Sequence, residues 1–105
     1  MIVTISSRHM EVSEPLKQYA EEKSGKLVKY YDRIQKIEVV FENTKERISV
    51  EMMVDVEHNH KFIARDQEGD AYACVDSCVA KLERQLTDHK NIFRNRKHAA
   101  EDKRG

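Results

Sequence analysis

No stretch of this chain approaches the roughly 18 consecutive apolar residues that a membrane-spanning helix requires. The opening MIVTISSRHMEV also has neither the charged leader nor the cleavage site of a secretory signal. Those two absences set the expectation of a cytoplasmic protein. Cysteine is scarce, with Cys74 and Cys78 the only two. Four residues apart in a helical pattern, they suit neither a disulfide staple nor a four-ligand zinc site, and read as reduced, small residues facing a core. Glycine-rich phosphate loops, nucleophile elbows and paired zinc motifs are all missing. Catalysis, a cofactor and a bound metal therefore have no support, and there is no internal repeat or low-complexity tract.

Net charge is missing too, because 19 Lys and Arg balance 19 Asp and Glu. The 105 residues suffice for one small domain. Apolar types make up 39% and charged types 36%, a lean core but not a disordered chain. A domain of this size buries only about two-thirds of its unfolded surface, so deep clefts between layers are not expected. Function should lie on the surface.

The apolar pattern changes period along the chain. Ile2, Val3 and Ile5 predict a short strand ending at Ser6, Ser7 and Arg8. Ser13 can cap a helix with Pro15 in its first turn, and Leu16, Tyr19, Ala20, Leu27 and Tyr31 supply the 3.6-residue stripe. Gly25 interrupts that helix, either at a close approach or as a packing compromise. From Ile37 the period becomes two, with Ile37, Val39 and Phe41 on one side. Past Asn43 to Glu46, a second run puts Ile48, Val50, Met52, Val54 and Val56 inward. A turn at His58, Asn59 and His60 leads to a third run, Lys61 to Arg65. A second helix follows Gly69, with apolar Ala71, Val75, Cys78, Val79, Leu82 and Leu86. The fold class implied is α+β, ordered β-α-β-β-β-α, with a four-stranded mixed sheet and two helices packed on one face. Residues 1–90 form this domain. Residues 91–105 carry no sustained apolar period and are expected to be a basic, mobile tail with a frayed helix end.

Charge is distributed unevenly over these elements. Residues 14–33 hold five bases and four acids, residues 34–69 five bases and eight acids, and residues 91–105 five bases and two acids. With both helices on the apolar side of the sheet, the open side is expected to show Glu38, Glu42, Glu51, Asp55 and Glu57. Such a face would repel phosphate and would not serve as a base-stacking platform for RNA. The helices differ. Lys26, Lys29 and Arg33 fall on one side of the first, with Lys23 a turn earlier. Lys81 and Arg84 lie a turn apart on the second, and Lys90, Arg94, Arg96 and Lys97 continue beyond it. Charged helix faces are ordinarily just solvated, and Glu21, Glu22, Glu83 and Asp88 stand among these bases. The contrast between sheet and helices, and the basic tail, favour a phosphate-binding helix side.

Other constellations are weaker. His58 and His60 flank one residue in a turn with no third ligand in view, so a turn role outweighs a metal site. His9, His89 and His98 are isolated surface or boundary residues. Tyr30 and Tyr31 end the first helix, and neighbours in a helix point about 100° apart, so one must face out. A tyrosine there can stack on a base, though more often it packs a helix end with its hydroxyl wet.

The stretch Lys26-Leu27-Val28-Lys29-Tyr30-Tyr31-Asp32-Arg33-Ile34, with the strand after it, resembles the ribosome hibernation promoting factor family. So do Asp70-Ala71-Tyr72-Ala73-Cys74-Val75-Asp76, Lys81-Leu82-Glu83-Arg84-Gln85-Leu86 and the opening ISSRHMEVS. The resemblance covers about residues 1 to 90, in order and spacing. It implies a non-enzymatic stationary-phase factor that binds rRNA in the decoding region of the small ribosomal subunit and blocks messenger RNA and tRNA. By motif position it implies contacts from Lys23, Lys26 and Lys29, from Lys81 and Arg84, and from Arg8. The partners implied are the small subunit and its rRNA, with room for a second hibernation factor. No membrane and no small-molecule substrate enter, and the chain is expected to be a monomer off the ribosome.

Two departures stand out. The chain looks like the short form, which is expected to lack the extra C-terminal domain of long forms, and Asp88 stands where relatives of the resembled family usually carry a base. The basic Arg94, Arg96 and Lys97 can compensate. They also differ from the acidic tail of the related factor that opposes ribosome pairing, and the residues do not choose between a promoting and an opposing role. The rival reading from another class is a protein-interaction module that pairs through an exposed sheet edge.

Overall fold

The computed structural model describes residues 1–45 and 47–102, the side chains of Glu68 and of residues 92–102 excepted. Strand β1, Ile2–Arg8, ends in a bend where His9 takes a left-handed φ of 59°. Helix α1, Glu14–Gly25, starts as its sequence demands. The Leu16 amide donates to the Ser13 hydroxyl at 3.3 Å, Pro15 sits where no amide partner is needed, and Glu14 lies at the positive end of the helix dipole. Leu16, Ala20 and Ser24 form its buried side. Ser24 can be buried because its hydroxyl donates back to the Ala20 carbonyl at 2.6 Å.

Past Gly25 the helix tightens into a 3-10 turn, Lys26–Lys29, which carries Leu27 into the core. Gly25 has an ordinary helical φ of −61°, and a Cβ built there would meet no atom within 4 Å. The close approach entertained for Gly25 is therefore not its reason for being there.

Strands β2 (Ile34–Thr44), β3 (Arg47–Val56) and β4 (His60–Glu68) complete a sheet in the order β1-β2-β3-β4. β1 pairs with β2 in parallel, and the other two pairings are antiparallel. β2 starts three residues before Ile37, because an irregularity between Ile34 and Lys36 resets the alternation. Ile34 and Ile37 thereby both point inward, at a spacing that simple alternation forbids. The β3–β4 turn is Glu57, His58 and Asn59, with His60 opening β4. His58 and Asn59 have φ of 62° and 61°, the paired left-handed conformation that follows strand twist in tight hairpins.

Helix α2 runs Ala71–Asp102 and begins with the Tyr72 amide donating to the Asp70 carboxylate at 3.0 Å. Its Cys74, Val75, Cys78, Leu82 and Leu86 pack with Leu27 and with Ile37, Val39, Phe41, Val50, Met52 and Val54 of the sheet in one core. Both cysteines lie outside any disulfide, are buried and direct their thiols at the β3 carbonyls of Ile48 and Val50, each 3.5 Å away. The architecture is the α+β, β-α-β-β-β-α order with a four-stranded mixed sheet covered by two helices. Beyond Asn91, the segment read from sequence as a tail has helical backbone as far as Asp102.

Candidate nucleic-acid interface

The topology makes the two helices run in the same direction, and the contacts between them fix their register. Early on, the Tyr19 hydroxyl donates to Asp76 at 2.6 Å and its ring meets Tyr72 edge-on at 5.0 Å. Later, beyond the 3-10 turn, the Tyr31 ring meets His89 at 5.4 Å. Lys23, Lys26 and Lys29 consequently lie alongside the part of α2 that carries Lys81, Arg84 and Lys90.

These bases are not equivalent. The Lys23 ammonium sits 5.4 Å from the centre of the Tyr19 ring, a cation–π distance. Lys26 lies 3.8 Å from Glu22 one turn back, with both groups largely in water, so the pair is weak and easily exchanged for a phosphate. Lys29, Arg84 and Lys90 are exposed and form no ion pair among the described residues.

Arg33 and Lys81 are committed elsewhere. Arg33 grips both oxygens of Glu57 at 3.0 and 2.9 Å, and Tyr31 donates to the same carboxylate at 3.2 Å. Through Glu57 the segment after the 3-10 turn is tied to the β3–β4 hairpin. The Arg33 hydrogen bonds hold the Glu57 carboxyl below its usual range. Burial, then the bond to Glu57, pushes the Tyr31 phenol up. Lys81 donates to the Arg65 carbonyl at 2.7 Å and lies 3.9 Å from Asp66, while Gln85 donates to the Ile63 carbonyl at 3.1 Å. Both side chains turn away from α1 and clip α2 onto the outer edge of β4.

Arg8 is not part of this surface. In register with Glu42, it belongs to the opposite face of the sheet, where it joins Arg47 and Arg65 around a shallow concavity of about 810 Å³. That face also corrects the expectation of a carboxylate-rich surface. Lys36 pairs with Glu38 at 2.7 Å, Lys61 with Asp55 at 3.6 Å, and Arg65 with Glu51. Glu57, placed on that face by alternation, instead anchors Arg33 from the turn. Summing charge by strand hid this arrangement. The β3–β4 register sets Lys61 opposite Asp55 and Arg65 opposite Glu51.

Arg94, Arg96 and Lys97 are on the later part of α2, but their side chains lie outside the described residues. Among the described residues no group of three or more His, Cys, Asp or Glu is placed to hold a metal ion. Among the described residues no helix is long and apolar enough to cross a membrane. The anchoring role of Glu57 escaped the sequence reading, whose only signal for it was an acid closing a strand just before a turn.

Comparison with known proteins places this geometry. The family described as Sigma 54 modulation protein / S30EA ribosomal protein matches residues 3–94. The ribosome hibernation promoting factor of Escherichia coli (strain K12) is 35% identical over 92 residues, covering 87% of this chain and 95% of that one. The factor of the same name from Pseudomonas putida is 33% identical over 90 residues, covering 86% and 87%. Among solved structures, a ribosomal subunit interface protein from Coxiella burnetii superposes with a TM-score of 0.80 at 25% identity, covering 87% of this chain and 99% of its own. The chain belongs to the Sigma 54 modulation protein / S30EA ribosomal protein family.

Proposed function

We propose that this chain is a non-enzymatic, cytoplasmic ribosome hibernation factor of resting cells. It binds rRNA in the decoding region of the small subunit and sterically excludes messenger RNA and tRNA. Relatives named ribosome hibernation promoting factor and a structural neighbour named as a ribosomal subunit interface protein support this reading. The observation that carries it is the set of exposed cations without ion pairs among the described residues, Lys29, Arg84 and Lys90, flanked by the loosely held Lys23 and Lys26 on the helix side. On a chain of zero net charge, this set is what attracts a polyanion.

Off the ribosome the chain acts as a monomer, and Arg94, Arg96 and Lys97 extend the basic surface. Arg8 then contacts RNA only if a separate rRNA segment reaches the opposite sheet face. The rival reading, pairing through a sheet edge, is opposed along part of one edge, where Lys81 and Gln85 occupy two carbonyls of β4.

Cosedimentation with purified small subunits across a salt series tests the proposal. Five phosphate contacts, one for each of Lys23, Lys26, Lys29, Arg84 and Lys90, predict that affinity falls roughly five hundredfold between about 50 and 200 mM salt. Binding that ignores salt would overturn it.

A further inference from the structure

A cleft of about 380 Å³ opens where the 3-10 turn, the segment Tyr30 to Arg33, the Glu57 corner and α2 meet. Its size lies at the lower end of the range for small-ligand pockets. Lys29, Arg33 and Lys90 line it together with Asp32 and Glu57, giving a formal charge of +1. That balance is not shared evenly. Arg33 and Glu57 consume each other in their double hydrogen bond, which leaves Lys29 and Lys90 as cations with no ion pair among the described residues. Asp32 is exposed and also forms no ion pair among the described residues.

Two tyrosines complete the lining and divide the work. Tyr31 is wedged against His89 with its hydroxyl on Glu57, so it builds the wall. Tyr30 has no such partner among the described residues and remains 39% exposed, in a lining that also holds Lys29 and Lys90. An accessible ring in a cleft that also holds two cations suits single-stranded nucleic acid, with one base on the ring and its phosphate on the charges.

We propose that this cleft accepts one unstacked nucleotide of single-stranded RNA, with the base on Tyr30 and the phosphate between Lys29 and Lys90. The proposal rests on the ribosomal reading above and deepens it, because it turns part of a general phosphate contact into a contact with a base. Duplex RNA, whose bases are stacked and paired, cannot use the site.

The test uses the full chain, with adenosine 5′-monophosphate and inorganic phosphate as separate probes and backbone amide shifts as the readout. The nucleotide is expected to shift the amides of residues 28–33 and 90, and to bind more tightly than phosphate alone. Tyr30→Ala should weaken nucleotide binding roughly tenfold, the usual loss for one base–aromatic stack, and leave phosphate binding unchanged. Tyr30→Phe should bind as the wild type does. Because Tyr30 is exposed, an unchanged spectrum elsewhere certifies the fold of each variant. Equal binding of nucleotide and phosphate, or of wild type and Tyr30→Ala, overturns the proposal. Cosedimentation of the wild-type chain with small subunits reads the ribosomal role separately. Its loss with nucleotide binding intact overturns that role alone, and its presence without base-dependent binding overturns the cleft alone.

Discussion

Tyr19 and Asp76 join the two helices through a 2.6 Å hydrogen bond in which the α1 phenol donates to the α2 carboxylate. That bond to Asp76, with burial second, pushes the Tyr19 phenol up to about 12. An acid whose folded pKa is raised stabilises the fold fully below its unfolded value and loses that contribution as pH climbs through the folded one. The window therefore runs from the ordinary tyrosine value of 10.0 to about 12. Tyr19→Phe keeps the ring against Tyr72 but removes the donor, and should cost about 1 kcal/mol near neutral pH. Urea midpoints for the two proteins should converge between about pH 10 and about pH 12. A constant gap across that range would show that the bond to Asp76 is not what separates them.

Gly25 offers the opposite sign. Its φ of −61° suits any residue, and the space where a Cβ would go is open to 4 Å. Gly25→Ala should therefore restrict the unfolded chain at no cost to the folded one, stabilising the protein by about 0.4–1 kcal/mol. The melting temperature should rise by a few degrees, and a fall would reveal a constraint at the helix-to-3-10 junction that static geometry does not display.

How far the sequence carried the reading depends on whether a feature is written locally. The Ser13 cap, the alternation of β3 and the stripe of α2 are local patterns, and they were enough for the element order. Ile34 was not legible as strand, since the irregularity before Lys36 breaks the period that identifies strands. The side of the sheet on which Arg8 sits follows from a parallel register with Glu42, set by residues more than thirty positions away. Lys81 reads in sequence as one more helix cation, and only the position of β4 makes the Arg65 carbonyl its nearest business. The helical backbone beyond Asn91 has no apolar stripe to announce it.

The clip formed by Lys81 and Gln85 leads to a prediction about solubility rather than affinity. By occupying the carbonyls of Arg65 and Ile63, the two side chains deny part of the β4 edge to a second strand. The double variant Lys81→Ala/Gln85→Ala should fold but associate at high concentration, seen as a concentration-dependent rise in weight-average mass by sedimentation equilibrium. If the double variant stays monomeric, the edge is protected by something else, such as the charges of Lys61 and Arg65.

The same contact ranks the cations for ribosome binding. A lysine already bonded to a carbonyl and close to Asp66 must give up those partners to meet a phosphate, whereas Lys29, Arg84 and Lys90 have no ion pair among the described residues to give up. Each phosphate contact removed should lower the slope of log affinity against log salt by about 1. Lys29→Gln, Arg84→Gln and Lys90→Gln should each reduce the slope for small-subunit binding by about that amount, and the triple variant by about 3. Lys81→Gln should leave the slope nearly unchanged. Measuring the wild type and all five variants at several salt concentrations decides the matter. A slope that drops with Lys81→Gln but not with the other three would place the RNA along the β4 edge instead of the crest of the helices.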